Sequence, residues 1–177
     1  MSELKRVIIP IICAATIGVF AWLAIERETA APLRLGENAA ERYIEIVADG
    51  PILHYRETLS WDKNQFLQIM EDQNDFLPAQ IEKFNERYDV VADNFGVEFN
   101  EENNATVFKC DVHGKEYAKN KYDLLWFLNV HGLDLIYDFT ESERELSWRG
   151  TIDNVDTTVV LSFPFPIAHC HGHVWPK

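Results

Sequence analysis

Tyr43-Ile44-Glu45-Ile46-Val47-Ala48, then Asp49-Gly50, then Ile52-Leu53-His54-Tyr55-Arg56-Glu57-Thr58-Leu59 is the stretch whose reading decides the fold. Apolar and polar residues alternate on both sides of Asp-Gly, the period of a strand with one buried face. Asp-Gly between two such runs predicts a tight hairpin, because a type I′ turn needs positive φ at both central positions. The segment from Glu37 to Ala48 is also compatible with a helix. The turn signal favours the hairpin.

Moving toward the C-terminus, the period changes. Phe66, Ile69 and Met70 share one helical face, with Ser60 as its N-cap. Pro78 reads as the opening of a second helix, whose face is Ile81, Phe84, Tyr88, Val91, Ala92 and Phe95 and whose end is Gly96. Val97 to Phe99 and Ala105 to Val112 bracket a polar loop, a second hairpin. Asn120 and Asp123 start a third helix running through Leu124, Leu125 and Leu128 to Gly132. Leu133 to Phe139 reads as extended. Glu145 to Ile152 and Thr157 to Phe163 form a last hairpin turning at Asp153-Asn154. The predicted class is α+β: an antiparallel sheet of hairpins with about three helices packed on one face. The other face must be polar, closed over or used against a partner.

Moving toward the N-terminus, Val7 to Ile25 (VIIPIICAATIGVFAWLAI) holds no charge over 19 residues. As a helix it would be about 28 Å long, near the thickness of a bilayer's hydrocarbon core. Lys5 and Arg6 precede it, so residues 1–6 are expected in the cytoplasm and the bulk of the chain outside. A cleaved signal peptide is the alternative. It fits less well, because Trp22 occupies the position where a small residue belongs before Ala24. A lipoprotein site at Cys13 is disfavoured by Ile12 before it. The expected organisation is a cytoplasmic start (1–6), a transmembrane anchor (7–25), a tether (26–41) and an extracytoplasmic α+β domain (42–177). Lipid is then the partner of 7–25.

With 29 acidic against 16 basic residues, the net charge is -13. Such a surface repels phosphate backbones and excludes a nucleic-acid partner. It keeps copies apart in solution; attraction of cations or of a basic protein is the sharper alternative.

Few residues carry a chemical signal. Asn104-Ala105-Thr106 is an N-x-T sequon, making Asn104 a candidate glycosylation acceptor. Cys110 and Cys170 are the cysteines beyond the anchor. In an oxidising compartment they would form one disulfide, closing a loop of about 60 residues and stabilising the fold by about 4 kcal/mol. Two buried free thiols are the alternative. Cys110-x-x-His113 and Cys170-x-x-His173 together could instead offer four ligands to zinc. His169, His171 and His173 recur at period two, so a strand would present all three on one face, suited to copper or zinc. Pro164, Pro166 and Pro176 flank them, which also fits an extended but unpaired tail. His54 and His131 show no partner in sequence. The carboxylates are too numerous to nominate a pair, and Asp153 to Asp156 lacks calcium-loop spacing. No nucleophile elbow, phosphate loop, dinucleotide fingerprint or zincin motif is present. The expectation is a non-enzymatic binding or assembly module, an accessory subunit or surface-displayed domain with a protein partner or self-association and no cofactor. The alternative is a copper- or zinc-binding or redox accessory protein using the C-terminal histidines.

Overall fold

The structure, a computed structural model, describes residues 39–177. The expected anchor at 7–25 and nearly all of the tether lie outside the described residues. Among the described residues no helix is long and apolar enough to cross a membrane.

The fold is mixed α+β. Strands β1 (Glu41–Asp49) and β2 (Ile52–Ser60) lead to helices α1 (Lys63–Glu71) and α2 (Gln73–Arg87). Then come β3 (Val91–Asn100), β4 (Ala105–His113), β5 (Glu116–Ala118), β6 (Lys121–Asp123) and α3 (Leu125–His131). The chain ends with β7 (Thr140–Glu141), β8 (Glu145–Ile152), β9 (Val155–Ser162), β10 (Ile167–Cys170) and β11 (His173–Pro176). Seven strands form one sheet in the order β3-β4-β2-β1-β9-β8-β7; four form a second, β10-β11-β6-β5.

The three expected hairpins are present, with one shift of turn. Asp49 pairs with Ile52, so Gly50-Pro51 makes the first link. Gly50 has φ 56° and Asp49 does not have a positive φ. Positive φ at the first linking residue alone is the type II′ pattern, and the fixed negative φ of Pro51 suits the second position. The last hairpin does use both left-handed residues, Asp153 at φ 54° and Asn154 at φ 63°. The sheet is not purely antiparallel: β1 runs parallel to β9, with Ile44 beside Val159 and Ile46 beside Leu161. Alternation carries no strand direction, so this pairing was invisible in sequence.

The helices depart from expectation at their ends. Asp62, not Ser60, caps α1, its carboxylate accepting from the backbone N–H of Asn64 and Gln65. Pro78 lies inside α2 rather than at its start, and α2 stops at Arg87. Val91, Ala92 and Phe95 belong to β3. The pairing steps from Asp93 with Asp111 to Gly96 with Lys109, three residues against two. That bulge inserts one residue and breaks the alternation. It is why the apolar spacing imitated a helix. Leu133 to Phe139 is a turn rather than extended chain. Asp134 accepts from the N–H of Ile136 and Asp138 from the N–H of Asp134, each at 2.7 Å.

One face of the large sheet is apolar. Ile44, Ile46 and Ala48 of β1, Leu53 and Tyr55 of β2, Phe108 and Val112 of β4, and Val159 and Leu161 of β9 are all buried in one cluster. Phe84 and Tyr88 of α2 and Phe127 of α3 join it. Phe66 and Ile69 of α1 pack in a second cluster with Leu59, Trp61 and Val155. The Trp61 indole donates to Thr106 Oγ1 at 3.0 Å, so its polar edge is satisfied. The small sheet seats against α3: the Leu124 N–H donates to the Gly172 carbonyl at 2.9 Å.

Candidate functional site

Strand parity places charge inside. Arg42 has the same parity as Ile44, Ile46 and Ala48; Glu57 has that of Leu53, Tyr55 and Leu59. Both therefore point to the apolar face, and Arg42 is only 4% exposed. A buried ion survives only when paired and hydrogen-bonded. Arg42 Nε lies 3.0 Å from Glu57 Oε1, and its Nη1 lies 3.3 Å from Asp153 Oδ2. Arg87 Nη2, from the last turn of α2, reaches the same Asp153 oxygen at 2.8 Å. The left-handed turn at Asp153 thus carries a carboxylate shared by two guanidinium groups. Burial disfavours its charged form, yet Arg87 and Arg42 outweigh this and hold Asp153 below the usual carboxylate range.

Beside these ion pairs is a cavity of about 380 Å³ between β1, β2 and β4 on one side and α2 on the other. Tyr55, Phe84 and Phe108 form its apolar wall, with ring centroids 5.1 Å apart for Tyr55 and Phe84 and 5.8 Å for Phe84 and Phe108. Tyr55 Oη donates to Glu57 Oε2 at 3.3 Å. Burial, then the neighbouring Glu57, pushes both the Tyr55 and Tyr88 phenols up, so both keep their protons. Tyr88 Oη is hydrogen-bonded to His131 Nε2 at 2.8 Å. Burial, aided by the Arg87 charge, holds His131 down to about 4, so at neutral pH its imidazole is uncharged.

Gln80 completes the lining from α2 and is 6% exposed. Its Nε2 finds no hydrogen-bond partner among the described residues. A buried amide donor left without an acceptor costs about 1–3 kcal/mol.

The residues singled out in sequence lie elsewhere. Cys110 is buried and Cys170 exposed, on strands of different sheets, and both thiols are free. Burial, then Asp111, pushes the Cys110 thiol up to about 12. Cys110 and His113 have opposite parity on β4, so they face opposite sides of the sheet; His113 Nε2 is 2.8 Å from Asp93 Oδ1. The histidines do not lie along one strand. Cys170 pairs with His173, and His171-Gly172 is the turn between β10 and β11, at φ 46° and 83°. The tail is thus a paired hairpin, not an unpaired extension. His169 and His173 fall on opposite faces: one is 3.4 Å from Glu141, the other 4.0 Å from Asp123. Among the described residues no three His, Cys, Asp or Glu side chains converge as a metal site. Asn104 sits in the β3–β4 turn at φ 47°, half-buried, its carbonyl accepting from the Trp61 N–H at 2.9 Å. His54 lies on the outer face, with Nδ1 2.6 Å from Asp111 Oδ1.

Sequence reading missed Arg42, Glu57, Arg87, Asp153 and Gln80. The first two carried a signal: a charge at an apolar parity position in each strand of the first hairpin. Comparison of the chain with family models, with curated proteins and with solved structures finds no match.

Proposed function

We propose that this protein is a membrane-anchored, extracytoplasmic binding module without chemistry of its own, which holds a small molecule in the cavity under the sheet. The observation that carries this reading is the cavity of about 380 Å³ between the large sheet and α2, walled by the Tyr55, Phe84 and Phe108 rings. The ionised groups beside it support binding rather than catalysis. Arg42, Glu57, Arg87 and Asp153 neutralise one another, and His131 is held neutral against Tyr88. A general acid or base would have its pKa near the working pH. The location rests on the uncharged run from Val7 to Ile25 behind Lys5 and Arg6.

The test is purification of the full chain in detergent from its own membrane, solvent extraction, and mass spectrometry of what is released. Wild type yields one small molecule per chain, and a Leu59→Trp variant that fills the cavity yields none. Equal yields from both, or nothing from wild type, would overturn the reading.

A further inference from the structure

We infer that the last turn of α3 is an acid-operated latch: one proton taken up by His131 frees that turn from α2 while the large sheet stays folded. Three observations carry this, and none depends on what the cavity holds. The first is that the charges around His131 already balance. Arg87 of α2, Arg42 of β1, Glu57 of β2 and Asp153 of the β8–β9 turn are joined by contacts of 2.8, 3.0 and 3.3 Å. Two guanidinium groups stand against two carboxylates. Asp153, the carboxylate that acts on His131, is already shared by both guanidinium groups. An imidazolium there adds one positive charge to a set that is neutral without it, and burial, Arg87 and Arg42 all oppose that charge.

The second is the hydrogen bond that closes the latch. His131 Nε2 lies 2.8 Å from Tyr88 Oη. The Tyr88 phenol keeps its proton, and donates it to the bare Nε2 of the neutral ring. An imidazolium carries a proton on both nitrogens and accepts from neither. Protonation therefore turns an acceptor into a donor facing the Tyr88 hydroxyl.

The third is position. Gly132, at φ 64°, ends α3 directly after His131. Asn129 and Val130 are exposed, whereas Trp126, Phe127 and Leu128 are buried. The His131 ring packs edge-on to Tyr88 and against Phe127, with centroids 5.8 and 4.7 Å apart. Freeing the last turn uncovers an imidazole and the edge of Tyr88, and leaves the Phe127 and Leu128 side chains in the core. Such a local opening costs much less than unfolding. Val130 on the same turn lines the cavity, so release also widens the cavity on its α3 side.

The direction follows from linkage. The ring titrates at about 4 when docked and at its ordinary 6.5 when free. Above pH 6.5 both states are neutral and the latch is closed. As pH falls from 6.5 toward 4, the free turn takes up a proton that the docked turn refuses, so opening is favoured. Between pH 7.5 and 5.0 the opening equilibrium shifts roughly thirtyfold.

The experiment is hydrogen exchange by mass spectrometry on the full chain in lipid nanodiscs at pH 7.5 and 5.0, each rate divided by the intrinsic rate at that pH. The expected result is a fall in protection of about thirtyfold at residues 129–133, with β1 and β2 still protected over the same exchange time. His131→Gln, uncharged at both pH values and still able to bond to Tyr88, shows no such fall. His131→Lys, charged at both, shows low protection of this turn already at pH 7.5. If His131→Lys does not fold, His131→Gln decides alone. No fall in wild type, an equal fall in His131→Gln, or loss of protection spread across β1 and β2 overturns the latch.

Discussion

Arg42 Nε lies 3.0 Å from Glu57 Oε1 on the sheet face that otherwise buries Ile44, Tyr55 and Leu161. An ion pair in that position does not stabilise the sheet as an apolar pair would, because desolvation consumes much of the Coulomb gain. Its cost is tolerable because Asp153 and Arg87 extend it into a network. Removing one member is therefore far worse than removing the set. Arg42→Met should destabilise the fold by about 3–5 kcal/mol, since it strands Glu57. Combining it with Glu57→Leu and Asp153→Asn should cost less than Arg42→Met alone. Urea unfolding followed by tryptophan fluorescence measures both. A triple variant less stable than the single would show that the network stabilises the fold outright.

Acid should weaken the fold before carboxylates protonate. The His131 imidazole titrates at about 4 in the folded chain against an ordinary value of 6.5. Above pH 6.5 the group is neutral in both states and contributes nothing pH-dependent. As pH falls from 6.5 toward 4, the unfolded chain takes up a proton that the folded chain refuses, and up to about 3 kcal/mol is lost. Unfolding free energy measured between pH 7.5 and 4.5 should show this slope in wild type and not in His131→Gln. An equal slope in both assigns the loss to another group.

The tail hairpin is held to α3 through a glycine. Gly172 has φ 83°, and a Cβ there would lie 2.4 Å from Leu125 Cδ2. Gly172→Ala should cost about 1–3 kcal/mol through backbone strain and overlap. The loss should be local. Hydrogen exchange of residues 167–176 should rise by tenfold or more, while β1 and β2 stay protected. Uniform acceleration across the large sheet would show that the two sheets unfold together.

Cys110 and Cys170 should behave differently. In a Cys13→Ser background, Cys170 is exposed and should be alkylated within minutes at pH 8. Cys110, buried and pushed up to about 12, should label only on unfolding. Intact mass gives the count directly. No labelling before reductant and two labels after it would establish the disulfide instead.

What was legible in sequence follows from how local each signal is. The hairpins at Gly50-Pro51, at Asn100 to Asn104 and at Asp153-Asn154 were readable because turn chemistry and alternation are local. The boundary between α2 and β3 was not, because the bulge at Asp93 to Gly96 gave strand residues a helical spacing. The parallel pairing of β1 with β9 was hidden because it joins segments more than a hundred residues apart. The cavity and its ion pairs share that cause: Arg42, Glu57, Gln80 with Arg87, and Asp153 come from four separate elements of the chain. The histidines at 169, 171 and 173 drew attention because they are close in sequence. The turn at His171-Gly172 then sends His169 and His173 to opposite faces.

A high-resolution crystal structure of the full chain, purified from its native source without added ligands, tests the cavity most directly. The account predicts continuous non-solvent density against the Tyr55 and Phe108 rings. A cavity filled only by separate waters would contradict it.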